Sequence, residues 1–168
     1  MRRTSLVLLP LAIVLALVVW RSDGPAPKDA SAPASEFSSA RAMQQLRVLL
    51  AEGVPHPIGS AANKRVRSRI EARFRELGYE TSVQRRFACN SAAQCGVVEN
   101  VLAIKPGVER GKLVLVAAHY DSVPAGPGAS DDGQGTATAL EVARAIRDER
   151  FRNRIGFLIT DGEEAGLL

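Results

Sequence analysis

Lys112–Asp148 reads KLVLVAAHYDSVPAGPGASDDGQGTATALEVARAIRD, and its three parts decide the fold. The first, KLVLVAAHYD, is a short apolar run rich in Val and Leu and bounded by glycine and charge, the pattern of a central β-strand. The last, GTATALEVARAIRD, sets Ala139, Val142, Ala143 and Ile146 on one helical face. Between them, His119–Gly135 carries one histidine and three aspartates among four glycines and two prolines, so it forms neither an ordinary helix nor a strand. A strand, an acidic loop and a helix follow one another.

Outward from this stretch the pattern continues. RIGFLITDGEE (154–164) has the composition of another buried strand, GVVENVLAIKP (96–106) that of a second central strand, and YETSVQRRF (79–87) alternates weakly, as an edge strand does. Upstream, a helix begins near Ser39 and stops at Gly53. A second is capped by Ser60, buries Val66, Ile70, Phe74 and Leu77, and ends at Gly78. The order helix, helix, three strands, helix, strand predicts an α/β fold, a mixed, mostly parallel central sheet flanked by helices.

The chain has 168 residues and an apolar fraction of 46%, enough for one domain with a real core. Its net charge of +4 comes largely from the arginine-rich stretch 64–86, interrupted by only two aromatics, Phe74 and Tyr79. That is the composition of a solvated helix face, and nucleic acid is not an expected partner. Arg2 and Arg3 precede seventeen uncharged residues, 4–20, closed by Arg21. Residues 1–21 thus read as a signal anchor or transmembrane helix, favoured over a cleaved signal peptide because no small-residue cleavage site follows. The basic N-terminus would stay cytoplasmic and the remainder extracytoplasmic, in the periplasm, a lumen or outside the cell. Residues 22–39, rich in Pro, Ala and Ser, read as a flexible linker to a domain over 40–168. Cys89 and Cys95 could close a short loop in an oxidising compartment. Spacing alone leaves that pairing and two free thiols both open.

The chemistry falls at element ends. His119 and Asp121, two apart on an extended segment, point the same way. Asp131 and Asp132 arrive just before a helix, and Glu163 and Glu164 follow a strand. Taken singly, a His-x-Asp is a surface pair and an Asp-Asp a helix cap. Converging carboxylates repel unless a cation neutralises them, and imidazole with carboxylate oxygen suits zinc.

HYDSVPAGPGASDDGQG followed by ITDGEEAGLL resembles the M28 family of zinc aminopeptidases, over roughly 40–168. HPIGSAANKRVRSRI and VVENVLA look like its membrane-anchored branch, similar to endoplasmic-reticulum metallopeptidase and vacuolar membrane protease. The resemblance implies two zinc ions. His119 would bind one, Glu164 the other, and Asp131 would bridge both. Asp121 would hydrogen-bond His119 to fix its tautomer, and Glu163 would act as general base on the attacking water. Asp132 would shape the loop. Peptide or protein N-termini would be the substrates.

The family has two further ligands beyond the Glu-Glu pair, an aspartate and a histidine. After Glu164 this sequence has only AGLL, and its one other histidine, His56, lies in a turn where a structural role is expected. The chain thus reads as the N-terminal part of a longer enzyme. Weak zinc binding, little activity and an uncovered sheet around Phe157 and Ile159 are the expectations. A non-catalytic binding protein of the same fold and a single-zinc acyltransferase of the glutaminyl cyclase type are the alternatives.

Overall fold

The structure, a computed structural model, describes residues 2–21, 24–109 and 111–168, with the side chains of 2–9 and 20 outside the description. In chain order it has helices α1 (Arg2–Arg21), α2 (Ser39–Leu49) and α3 (Ala61–Glu76), and strands β1 (Glu80–Cys89), β2 (Cys95–Lys105) and β3 (Leu113–His119). Helix α4 (Gln134–Ala145) and strand β4 (Arg154–Thr160) follow. The sheet order is β1-β2-β4-β3.

The helix boundaries have local causes. Ser38 Oγ accepts from Arg41 N to start α2, and Ser60 Oγ accepts from Asn63 N to start α3. At the end of α3, Gly78 turns at φ +84° while Tyr79 N donates back to Phe74 O. This is the left-handed stop that glycine allows. Val66, Ile70, Phe74 and Leu77 are buried along α3. They meet Leu140 and Ala143 of α4 and Val101, Ala103, Phe157 and Ile159 of the sheet in one core. Phe74, Tyr79 and Phe157 stack with ring centres 5.5–5.9 Å apart. The Tyr79 hydroxyl donates to Ala143 O at 2.8 Å, and burial, with Asp148 nearby, pushes it up to about 12.

The sheet is mixed and flanked by helices, but less parallel than expected. Among the described strands only β3 and β4 pair in parallel, whereas β1–β2 and β2–β4 are antiparallel. The reason is connection length. The disulfide Cys89–Cys95 closes a short hairpin between β1 and β2, and only the β3–β4 link contains a helix long enough to return the chain. Among the described strands β3 is also an edge, not a central strand.

Phe157 and Ile159, expected to lack cover, are fully buried under α3 and α4. The uncovered apolar groups lie on the alternate positions. Leu113 and Leu115 are exposed, and Leu102, Ile104 and Leu158 are half-buried around Gly156. The period of two along each strand sends these side chains to the face opposite Phe157.

Residues 22–39 are not a free spacer throughout. Arg41 donates to the carbonyls of Ala30, Ala32, Pro33 and Glu36, and Arg144 to those of Ala34 and Glu36. Ser38 Oγ donates to Asp29 O at 2.5 Å, and Ser38 N to the buried Glu141. The segment from Lys28 onward is therefore docked against α2 and α4. Met1, Ser22 and Asp23 lie outside the described residues, as do the side chains of Arg2 and Arg3. Among the described residues no helix is long and apolar enough to cross a membrane. The side chains of Leu11–Val19 on α1 are all exposed.

The arginines of 64–86 are largely engaged with carboxylates. Arg65 and Arg69 pair with Glu52, Arg67 and Arg75 with Glu71, Arg73 with Glu76, and Arg85 with Glu99. The stretch is a laced helix and strand surface, as read from the sequence.

Candidate metal centre

His119 ends β3, and its backbone is fastened at both sides of the peptide. Its N–H donates to Asp132 Oδ2 at 3.3 Å and its carbonyl accepts from Thr136 Oγ1 at 2.8 Å. Asp132 also accepts from Gly135 N at 2.9 Å. One carboxylate thus ties the strand end to the start of α4. A Cβ at Gly135 would lie 2.2 Å from Asp132 Oδ1, so any larger residue there displaces this carboxylate. Asp132 shapes the loop.

The turn Ala129–Gly133 carries Asp131 out from this anchor, with a cis peptide bond between Asp131 and Asp132. His119 itself is 8% exposed, whereas the side chain of Asp131 is 81% exposed. His119 Nε2 lies 3.1 Å from Asp131 Oδ1 and 3.9 Å from Glu163 Oε2. Burial by itself would lower the imidazole's pKa. Asp131, Asp121, Asp132 and Glu163 together outweigh it and hold His119 above its usual range.

Asp121 is buried and does more than the His-x-Asp spacing suggests. Its Oδ1 is 3.4 Å from His119 Nδ1, an ion-pair distance, and Nδ1 has no hydrogen bond among the described residues. Its hydrogen bonds come instead from the Glu163 N–H (3.2 Å, to Oδ1) and the Glu164 N–H (3.0 Å, to Oδ2). The Asp121 carboxylate thus faces Nδ1 at 3.4 Å without a hydrogen bond to it, while each of its oxygens accepts one backbone N–H. Partial desolvation, then Asp131 and Glu163, raise the Glu164 carboxyl's pKa, with His119 opposing.

Asp131 and Glu163 are thus brought within 4 Å of His119 Nε2, with Glu164 inside the same acidic field. Among the described residues, no group of three or more His, Cys, Asp or Glu is gathered closely enough to hold a metal ion by itself. The donor chemistry still fits a divalent cation. An imidazole nitrogen faces one carboxylate directly and a second at the edge of reach, and their mutual repulsion is what a cation relieves. His56 is buried under the same loop, its N–H donating to Ser122 Oγ at 2.8 Å and its carbonyl accepting from Ser122 N, and no contact between its ring and His119, Asp131 or Glu163 is found among the described residues.

Two supporting residues lie inside the quoted stretches without having been assigned a role there. Asp161 accepts from Asn63 Nδ2 (3.0 Å) and from the Glu99 N–H (3.2 Å), and its own N–H donates to Asn100 Oδ1. Burial raises its pKa against those bonds. It fixes the end of β4 two residues before Glu163. Asn63 is the third residue of α3, within the HPIGSAANKRVRSRI stretch.

Residues 100–168 match the profile described as Peptidase family M28. A vacuolar membrane protease of Candida albicans is 33% identical over 116 residues, 67% of this chain and 14% of that protein. A Zn-dependent exopeptidase from Parabacteroides distasonis superposes with a TM-score of 0.68 at 23% identity, over 79% of this chain and 49% of that one. A glutaminyl cyclase from Porphyromonas gingivalis gives 0.67 at 24%, over 74% and 45%. The two structures share the fold. The chain spans about half the length of those structures and a much smaller part of the protease. With the histidine, the aspartates and the Glu-Glu turn all inside the matched region, residues 100–168 belong to peptidase family M28.

Proposed function

We propose that this chain supplies the first ligands and the general base of a zinc aminopeptidase that hydrolyses N-terminal peptide bonds. The supporting observation is Asp121, a buried carboxylate that faces His119 and holds the backbone of both Glu163 and Glu164. It brings a ligand and a base from two separate strand ends to one place.

His119, Asp131 and Glu164 would hold zinc, with Asp131 shared between two ions. Zinc, when bound, supplies Lewis acidity that acidifies water and polarises the scissile carbonyl. The residues do the rest. Glu163 has a half-exposed side chain reaching within 3.9 Å of His119 Nε2. It takes a proton as water oxygen adds to the carbonyl carbon and returns it to the amine as the C–N bond breaks. Asp121 keeps His119 and the Glu163–Glu164 turn in register.

Localisation follows from separate features. The exposed apolar side chains of α1 support holding the domain at a membrane. The Cys89–Cys95 disulfide supports an extracytoplasmic placement.

Zinc titration of the purified chain against a chromophoric chelator tests the ligands. Binding should be lost in His119→Ala and Asp131→Asn and kept in Glu163→Gln; binding unchanged in the first two removes the proposed site. Hydrolysis of an aminoacyl-p-nitroanilide by a polypeptide that adds the family's remaining aspartate and histidine should vanish in Glu163→Gln with zinc retained. Cyclisation of an N-terminal glutaminyl peptide, without hydrolysis, would favour the acyltransferase alternative.

A further inference from the structure

The Glu163–Glu164 turn is held from a second side, by a residue outside the motif. After Glu164 the chain closes on itself. Gly166 N and Leu167 N both donate to Glu163 O, at 3.0 and 2.9 Å, and Leu168 N donates to Gly162 O at 3.0 Å. This leaves the carbonyls of Ala165 and Gly166 pointing away from the turn. Asn90 Nδ2 lies 3.1 Å from each of them. The fit is close, because a Cβ on Gly166, which turns at φ +87°, would lie 2.4 Å from Asn90 Nδ2.

Asn90 is itself immobilised. It sits next to Cys89 in the loop that the Cys89–Cys95 disulfide closes. Its Oδ1 accepts from Ala92 N and Gln94 N at 2.9 and 3.0 Å, and its N–H donates to Gln94 O at 2.9 Å. Gln94 Oε1 accepts from Nδ2 at 2.8 Å. The side-chain amide therefore has one fixed orientation, with the acceptor oxygen turned into its own loop and the two hydrogens of the donor nitrogen shared among Gln94 Oε1 and the carbonyls of residues 165 and 166.

We propose that Asn90 is a positioning residue for the Glu163–Glu164 turn, presented by the disulfide-closed hairpin loop. Asp121 holds the turn by its N–H groups and Asn90 by its following carbonyls. The proposal rests on the assignment of Glu163 and Glu164 above. The antiparallel β1–β2 ladder closes this loop as far as Cys89 and Cys95, and the disulfide braces it covalently at the residue before Asn90.

The test compares the chain with Asn90→Ala, and with the double variant Cys89→Ser, Cys95→Ser, which keeps Asn90 but removes the covalent brace beside it. Backbone hydrogen exchange at Glu163, Glu164, Gly166 and Leu167 should quicken about tenfold or more in both, while amides of β2 and β4 keep their rates. Zinc affinity should fall roughly 10-fold, at the lower end of the effect of residues behind metal ligands. Unchanged exchange at the four amides in Asn90→Ala overturns the proposal. So does equal quickening throughout β2 and β4, the mark of general loosening. Exchange needs no metal, so a failure of the unmodified chain to bind zinc counts against the zinc site and leaves this comparison decisive for Asn90.

Discussion

At the scale of residues, one carboxylate serves two strand ends. Asp121 accepts both N–H groups of the Glu163–Glu164 turn and leaves His119 an ion-pair distance. Asp121→Asn puts an amide NH2 where one of those N–H groups needs an acceptor. Zinc affinity measured by chelator competition should fall roughly 10–100-fold with the circular dichroism spectrum unchanged. Gly135→Ala acts through Asp132, whose carboxylate must swing away from the new methyl and release the His119 and Gly135 N–H groups. Losing those bonds should cost about 1–3 kcal/mol in urea unfolding. The motif residues were legible in the sequence because metal chemistry restricts residue type. Asn63, Asp161 and Asn90 were not, because their partners are backbone groups and side chains 60 to 100 positions away, which leave no local pattern.

At the scale of elements, the link between α2 and α4 is ionic. Glu141 is fully buried and accepts from Ser38 N, Arg41 Nε, and Arg144 Nε and Nη2. Burial would raise its pKa, but Arg144, Arg41 and the Ser38 N–H outweigh burial and hold it below the usual value. A depressed carboxylate stabilises the fold above its unfolded pKa of about 4.3, and that contribution disappears as pH falls through the lower folded value. The wild-type melting temperature should therefore drop below about pH 4.3, more steeply than that of Glu141→Gln. Glu141→Ala strands two guanidinium groups and should cost about 3–5 kcal/mol in chemical denaturation. It should also open the 28–38 segment to proteolysis. The helices were legible from their period and caps. The docked segment was not, because its Pro, Ala and Ser side chains contribute little and its backbone carbonyls, which make the contacts, look alike in any sequence.

At the scale of the molecule, the sheet has one finished face and one bare one. Phe157→Ala on the finished face removes a ring from a three-ring cluster and should cost about 3–5 kcal/mol. The bare face and the β3 edge, with Leu113 and Leu115 exposed, favour association between copies. Light scattering of the purified chain should rise with concentration, and Leu115→Lys should suppress the rise without lowering the melting temperature. Strand order is what the sequence could not convey. Each strand's apolar pattern marks that it is buried on at least one side, not which neighbour it takes.

The docking of residues 28–38 also sets a leash length. Between the end of α1 at Arg21 and the first held residue, Lys28, only residues 22–27 remain. Six residues reach at most about 20 Å when fully drawn out. The end of α1 therefore stays within that distance of Lys28, so any surface that held α1 would also hold the docked segment and, through it, α2 and α4 close by.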